Sequence, residues 1–374
     1  MPRRVFITVG EVSGDANAAR LAVELKKLDP DILIEGHGGA AMREAGVQIH
    51  RDTVSRAAMG LKAVLRTVEV HKLLAWTRKY YQKTPPDLHI CVDSWSMNWL
   101  FARLAKKAGK PVLYCIAPQA WASRPGRVKR LRQYVDRLAC ILPFEKEWFS
   151  SRGVNTTFVG HPLFDRVPAK IEAPPRYFPT VGLLPGSRRG VAKANFGPLL
   201  DVAAEIVREF PNVRFVVPTT RNTDGIVREE VERRGRTNRY TMAIDSFDRL
   251  VPRCDLCITV SGTAALHVAA HNVPMIVVYR GNWLLWNLLG RWIINARTFS
   301  LVNILSPAGK KIAPEFVPWH GSAKCVAKCA LDYLRHPEKL AEQRKELAEM
   351  IAPLNVPGAS KKVAEMAIEL MNRV

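Results

Sequence analysis

No run of about 18 uninterrupted apolar residues, the length a membrane-crossing helix needs, occurs in this 374-residue chain. The nearest candidate, residues 283–305, is broken by Asn287, Arg291, Asn295 and Arg297. The apolar run that follows Met1-Pro2-Arg3-Arg4 is far too short for a secretory leader and reads as a first β-strand, so a cytoplasmic location is expected. Acidic residues are scarce: 34 Asp and Glu stand against 56 Lys and Arg, a formal net charge of +22. That imbalance calls for an anionic partner such as nucleic acid, a phospholipid surface or a phosphorylated substrate. Nucleic acid is disfavoured, because no aromatic-interleaved recognition signature accompanies the charge and runs such as 124–130 read as a solvated helix face. Short-period repeats and low-complexity tracts are also lacking. The seven cysteines include Cys254-x-x-Cys257 and Cys325-x-x-x-Cys329, spacings that two halves of a zinc site could have. The competing reading, which we favour, is buried free thiols, since Cys91, Cys115 and Cys140 also sit in apolar runs.

What is present is an ordinary globular composition, 48% hydrophobic and 24% charged, in a length that suits two domains. Short β-branched runs at 5–9, 32–36, 88–92, 112–116 and 138–142 alternate with helical patterns such as 17–28, the rhythm of parallel βαβ units. Pro168, Pro174, Pro175 and Pro179 mark a linker. The rhythm then restarts, with strands expected at 181–184, 213–217, 256–260 and 275–278 and helices at 196–210 and 264–271. The fold class is therefore α/β, two Rossmann-like domains whose parallel sheets would place ligands in an interdomain cleft at their carboxyl ends.

Four stretches could carry chemistry there. Gly10-Glu11-Val12-Ser13-Gly14-Asp15 joins the first strand to a helix; its backbone N–H groups could hold a phosphate or sugar hydroxyls, or Ser13 or Asp15 could simply cap the helix. Asp93 ends the strand 88–92 and could act as general base on a hydroxyl nucleophile, or serve as an N-cap. Gly186-Ser187-Arg188 follows the first strand of the second half, where a guanidinium beside a glycine turn matches a diphosphate; a solvated basic loop is the alternative. Ser261-Gly262-Thr263 opens a helix with hydroxyls and a glycine, and His267 lies one turn further on, read alone as a packed histidine. The second half holds no Asp-x-Asp pair to bridge a metal to a diphosphate, so neither metal nor cofactor is expected.

These stretches, with Gly38-Gly39-Ala40-Ala41-Met42, Met59-Gly60, Ala117-Pro118-Gln119-Ala120-Trp121-Ala122-Ser123-Arg124, Pro143-Phe144-Glu145 and Phe158-Val159-Gly160-His161-Pro162-Leu163, occur in the order seen in the lipid-A-disaccharide synthases. Pro274-Met275, Tyr279-Arg280 and Asn303-Ile304-Leu305 extend the resemblance over nearly the whole chain. The resemblance implies a metal-free GT-B glycosyltransferase that inverts the sugar C1, moving 2,3-diacylglucosamine from UDP to the 6-hydroxyl of 2,3-diacylglucosamine 1-phosphate. It implies Asp93 as catalytic base, with Glu11, Ser13, Asp15, Asn98, Gln119, Trp121 and Arg124 lining the acceptor side. Gly186, Ser187, Arg188, Ser261, Gly262, Thr263, His267, Tyr279, Arg280 and Asn303 would hold the UDP-sugar. The implied domains are an acceptor domain at 1–167, a UDP-sugar domain at 180–340, and helices at 341–374 packing back on the first. The implied partners are the two lipid substrates and the anionic inner-membrane surface, met peripherally through 59–74 and 283–293, with a homodimer as one assembly.

Three departures from the family pattern stand out. Asp93-Ser94-Trp95-Ser96-Met97-Asn98 replaces Asp-Ala-Pro-Asp-Phe-Asn, losing a second carboxylate and gaining a ring. His267 replaces a Glu suited to accept two ribose hydroxyls, and Leu301-Val302-Asn303 replaces Leu-Pro-Asn. The alternatives to be weighed are a GT-B enzyme with another lipid acceptor or UDP-sugar, a UDP-sugar epimerase of the same fold, and a non-catalytic basic membrane-binding protein.

Overall fold

The computed structural model describes residues 2–55, 63–122, 124–165, 178–235, 237–280 and 298–373. Ser123, most of the proline-rich linker, residues 59–62 of the candidate membrane segment 59–74, and the whole of the candidate segment 283–293 lie outside the described residues. The chain divides into two units, Met1–Asp165 with Val356–Val374, and Arg166–Asn355.

The first unit is built on a seven-stranded, wholly parallel sheet in the order β3-β2-β1-β4-β5-β6-β7. Its strands are β1 (Arg4–Thr8), β2 (Leu33–Gly38), β3 (Gln48–Asp52), β4 (Leu88–Val92), β5 (Val112–Cys115), β6 (Arg137–Cys140) and β7 (Thr156–Phe158). Helices α1 (Val12–Leu28), α2 (Ala40–Glu44), α3 (Ala63–Lys83), α4 (Trp95–Lys107), α5 (Arg127–Tyr134) and α6 (Pro143–Ser150) connect them. The central strands are buried along their length, which is why they read as mainly apolar runs instead of alternating ones. Gly36 is needed where β2 passes β1, because a Cβ there would stand 1.9 Å from the Ile7 carbonyl oxygen.

The second unit repeats the plan with a six-stranded parallel sheet, β10-β9-β8-β11-β12-β13. Its strands are β8 (Thr180–Leu184), β9 (Arg214–Thr219), β10 (Tyr240–Ile244), β11 (Leu256–Val260), β12 (Met275–Val278) and β13 (Glu315–Phe316). The helices are α7 (Arg189–Glu209), α8 (Asp224–Arg233), α9 (Phe247–Leu250), α10 (Thr263–Ala270), α11 (Leu301–Ile304), α12 (Ala323–Arg335) and α13 (Pro337–Ile351). Phe196, Leu199, Ala203 and Ile206 of α7 and Val326, Ala327 and Ala330 of α12 close the core over β8, β9 and β11.

The last helix, α14 (Ala359–Met371), belongs to the first unit, where Val363, Ala364, Ala367 and Met371 pack with Ala18, Leu21, Ala22 and Leu25 of α1. Asp165 fastens its start by accepting hydrogen bonds from the backbone N–H groups of Gly358 (2.8 Å), Ala359 (3.1 Å) and Ser360 (3.1 Å). The return to the first unit thus begins at Val356, later than the expected 341. The reason is Gln343: buried in α13, it accepts from the Met275 amide and donates to the carbonyls of Met275 and Ile312, binding that helix to β12. Among the described residues, no helix is long and apolar enough to cross a membrane.

Candidate functional site

In the first sheet the chain runs outward from β1 to β3, then crosses to β4 on the other side of β1 and continues to β7. The order reverses between β1 and β4, and at such a point the two following loops diverge and leave a crevice at the carboxyl edge. Gly10-Glu11 leaves β1 on one side of it and Asp93 leaves β4 on the other.

Asp93 and Ser94 both have left-handed backbones, φ 51° and 48°. Each such residue with a Cβ costs about 1–2 kcal/mol, although Asp is among the types that tolerate it best. The surroundings enforce the turn. Asn98, fully buried, sets its amide nitrogen within 3.0 Å of the Thr8, Val92 and Asp93 carbonyl oxygens and accepts from Thr8 Oγ1 at 2.8 Å. Tyr114 donates to the same Asp93 carbonyl at 2.7 Å, and the Ser94 hydroxyl accepts from the Gly10 N–H at 3.2 Å. α1 packs against this turn at Gly14, where even a Cβ would meet the Asp93 Cβ at an ordinary contact distance of 3.8 Å. The result is a carboxylate on a strained, clamped turn at the switch point, the kind of position where strain accompanies function.

The other expected acceptor-side residues divide into two groups. Glu11 is half-buried at the start of α1, and Ser13, Gln119 and Arg124 are exposed. Asp15 and Asn98 are instead occupied internally. Asp15 lies inside α1, which starts at Val12, so neither it nor Ser13 caps that helix; its carboxylate accepts from the N–H groups of Gly39 (2.8 Å), Ala41 (3.0 Å) and Met42 (3.4 Å), at the head of α2. Trp121 donates its indole N–H to Glu145 at 2.9 Å. Burial pushes the Glu145 carboxyl up to about 7, while bonds from Trp121, Leu142 and Ile141 pull the other way. Glu145 lies in the Pro143-Phe144-Glu145 motif, and its carboxylate also accepts from the Ile141 and Leu142 N–H groups at the start of α6, a role that no side-chain cap at Leu142 signals in the sequence.

The second sheet reverses between β8 and β11. Three adjacent strands there each deliver a loop at the carboxyl edge: Gly186-Ser187-Arg188 after β8, Ser261-Gly262-Thr263 after β11 and Tyr279-Arg280 after β12. Gly186 has φ +101° and would place a Cβ 2.9 Å from Val191, so the turn requires glycine. Ser187, Arg188, Gly262, Thr263 and Arg280 are exposed. Buried Asn195 of α7 accepts from the Arg280 N–H at 2.8 Å, linking the third loop to the helix that follows the first. The Ser261 hydroxyl donates to the Phe299 carbonyl at 3.0 Å.

The family profile that matches this chain is described as lipid-A-disaccharide synthetase and spans residues 5–369. The chain belongs to the lipid-A-disaccharide synthetase family. It is 36% identical to the lipid-A-disaccharide synthase of Geobacter sulfurreducens, over 99% of this chain and 98% of that one. Against the synthase of Nitrosococcus oceani the identity is 34%, over 98% and 96%. Membership makes it a hexosyltransferase of lipid A disaccharide formation. Its fold is that of solved structures with little sequence likeness. A Staphylococcus aureus MnaA–UDP co-structure has a TM-score of 0.67 at 13% identity, covering 100% of this chain and 98% of that one. The calicheamicin glycosyltransferase CalG4 has 0.63 at 14%, covering 100% and 99%. Two parallel α/β domains of the GT-B type are thus what this lipid-A-disaccharide synthetase family member is built from.

Two residues expected to meet the UDP-sugar have internal partners in this family member. Asn303 is buried; its amide nitrogen donates to the Ala313 carbonyl and to Glu315, each at 2.8 Å, and its oxygen accepts from the Ala313 N–H at 2.9 Å. His267 stacks on Phe247 with centroids 4.1 Å apart, and its Nε2 lies 2.6 Å from Asp248 Oδ1. His271, one turn on, reaches the same oxygen at 2.8 Å. Burial opposes ionisation of Asp248, but the two imidazoles hold its carboxyl below the usual range. Asp248, His267 and His271 are the only group of three or more His, Cys, Asp or Glu among the described residues with ligand atoms close enough, within 4.8 Å, to hold a metal ion. The cysteine pairs do not form one site: Cys254 and Cys257 are buried by β11, and burial raises the Cys257 thiol well above its usual range, whereas Cys325 is exposed on α12.

Proposed function

We propose that this hexosyltransferase moves 2,3-diacylglucosamine from UDP to the 6-hydroxyl of 2,3-diacylglucosamine 1-phosphate in one displacement that inverts the sugar C1. The observation that carries the reading is Asp93, a carboxylate on a strained turn at the switch point of the first sheet. The acceptor O6 attacks C1 as its proton passes to the Asp93 carboxylate; the C1–O bond to the diphosphate breaks and UDP leaves with the electron pair. Glu11, Ser13, Gln119, Trp121 and Arg124 contact the acceptor. Asp15 and Asn98 act as positioning residues through the hydrogen bonds they make to α2 and to the Asp93 turn.

On the second unit the loops of Gly186, Ser187 and Arg188, of Ser261, Gly262 and Thr263, and of Tyr279 and Arg280 hold the UDP moiety. Oriented N–H donors at the starts of α7 and α10, with two guanidinium groups, stabilise the leaving diphosphate. His267 and Asn303 support the walls of that site. The units are assigned accordingly, acceptor on the first and UDP-sugar on the second. The substrates are lipids, and the net charge of +22 with exposed Val68 and Lys72 on α3 supports peripheral contact with an anionic inner-membrane surface from the cytoplasmic side. Assembly as a homodimer is compatible with this chemistry and not required by it.

The test is incubation of the purified chain with UDP-2,3-diacylglucosamine and 2,3-diacylglucosamine 1-phosphate, following UDP release and the linkage of the product. Release that depends on acceptor, with a product of inverted configuration, is the expected outcome. No release with both substrates present removes the specific assignment.

A further inference from the structure

Beside the Asp93 turn, the first unit contains a cavity of about 410 Å³ lined by Trp95, Ser96, Trp99, Arg124, Arg127 and Arg130, a volume in the range of small-molecule sites. Its charge is of one sign. Three guanidinium groups share it and none of the lining residues is acidic. Arg127 shows the cost, since burial and then the neighbouring Arg124 charge both weaken its hold on its proton. Arg130 lies over the Trp99 ring with its Cζ 3.9 Å from the centroid, which fixes the guanidinium plane before any ligand arrives. Trp95 and Ser96 open α4, whose first turn has no acidic side chain to offset the positive end of the helix. Converging cations and a hydroxyl are complementary to a compact dianion.

We propose that this cavity is a phosphate subsite and that it takes the anomeric phosphate of the acceptor sugar. The proposal rests on the transfer reading above, in which the acceptor hydroxyl stands at Asp93. Trp95 is two residues beyond Asp93, and the acceptor's phosphate on C1 is separated from its 6-hydroxyl by one pyranose ring. Seating the phosphate among the guanidinium groups would orient the ring and select the phosphorylated monosaccharide over any neutral glycolipid. The replacement of the family's second Asp by Ser96 leaves this cavity more cationic than that pattern would. The chemistry alone is shared with a phospholipid headgroup, so the experiment separates the two sources.

Arg127→Gln and Arg130→Gln are compared with Arg132→Gln, which makes the same charge change on α5 without lining the cavity. Each is assayed in neutral detergent with the acceptor and with the same diacylglucosamine lacking its phosphate. Wild type and Arg132→Gln are expected to prefer the phosphorylated acceptor strongly in kcat/KM, and each cavity variant to lose at least tenfold of that preference, chiefly through KM. In a second arm the proteins are sedimented with phosphatidylglycerol vesicles without acceptor. Cavity variants that keep the preference but bind vesicles less well than Arg132→Gln overturn the acceptor assignment in favour of a headgroup. Variants that change neither readout overturn the phosphate subsite altogether. If wild type turns over neither acceptor, the transfer reading has failed, and calorimetry with glucosamine 1-phosphate against glucosamine then decides the subsite: phosphate-dependent binding lost in Arg127→Gln supports it, and equal binding of the two sugars rejects it.

Discussion

Asp93→Asn and Asn98→Ala should separate what the first switch point does chemically from what holds it in place. Asparagine nearly matches aspartate in shape and tolerates the left-handed region as well, so Asp93→Asn keeps the turn at φ 51°. It removes only the proton acceptor, for which the expected loss is about 10²–10⁴-fold in turnover with UDP affinity unchanged. Asn98→Ala does the opposite. It takes two N–H donors and one acceptor out of a fully buried position, leaving the Thr8 hydroxyl and the Thr8, Val92 and Asp93 carbonyls to share what remains. At about 1–3 kcal/mol for each buried group left unpaired, and with Tyr114 still serving Asp93, the loss for one or two such groups is about 1–6 kcal/mol. That is large enough to release a turn strained by about 1–2 kcal/mol per residue, so turnover should fall as well. Urea titration of both variants, read by the shift in midpoint at constant slope, and UDP release over time are the assays. Asp93→Asn with near-normal turnover would make Asp93 a turn residue only. Asn98→Ala with wild-type stability and turnover would refute the argument that the clamp sustains the strained carboxylate.

Arg188→Ala should raise the donor KM and weaken inhibition by UDP by roughly ten- to a hundredfold, the equivalent of about 1.5–3 kcal/mol for a charge-assisted contact; unchanged UDP affinity would move the diphosphate elsewhere. Glu145 supplies a pH prediction. Its folded carboxyl is raised from 4.5 to about 7, so between those values the folded chain holds a proton that the unfolded chain has released. Its contribution is complete below pH 4.5 and is lost as pH rises through 7, roughly 3 kcal/mol in all at about 1.4 kcal/mol per pH unit. Glu145→Gln should flatten that slope, and denaturation midpoints that fall equally with pH in both proteins would rule the effect out. Wild type should co-sediment with anionic vesicles in a salt-sensitive way, and a folded Leu61→Ser plus Leu65→Ser variant should bind less; equal binding would clear this segment of membrane contact.

The central strands were legible because strands buried on both faces are written as mainly apolar runs without alternation, as Leu88–Val92 and Leu256–Val260 are, each with one buried polar residue, His89 and Thr259. The edge strands were not. Gln48–Asp52 and Thr156–Phe158 are half-exposed and polar, and Glu315–Phe316 is two residues long, so their patterns differ little from those of loops. The position of Asp93 followed from its place at the end of a central strand, whereas its strain did not, since left-handed geometry depends on Asn98 and Tyr114 from other elements. Asp15 is the converse case. Its position at the start of a helix suggested a local cap, but its partners are the amides of α2, 24 to 27 residues away in sequence.

His267 illustrates how a substitution in a family motif can be absorbed by its neighbours. Thr263, His267 and His271 fall at spacings of four along α10, so they form one stripe leading away from the Ser261-Gly262-Thr263 loop. A glutamate at 267 would bring a negative charge to that stripe; the histidine brings none, yet it and His271 converge on Asp248, whose carboxyl they hold ionised. The carboxylate that meets this stripe is therefore Asp248 of α9, bonded to both imidazoles. Asp248→Asn should then weaken UDP binding more than a remote charge change on the same unit, such as Glu229→Gln on exposed α8 surface. The reasoning is that neutralising Asp248 frees two imidazoles to turn and disturbs the packing of Phe247 on His267 behind the loop. Equal UDP affinities in isothermal titration of Asp248→Asn and wild type would mean that the stripe supports only the fold of α9 and α10, and that the donor site works without the negative charge the motif usually provides.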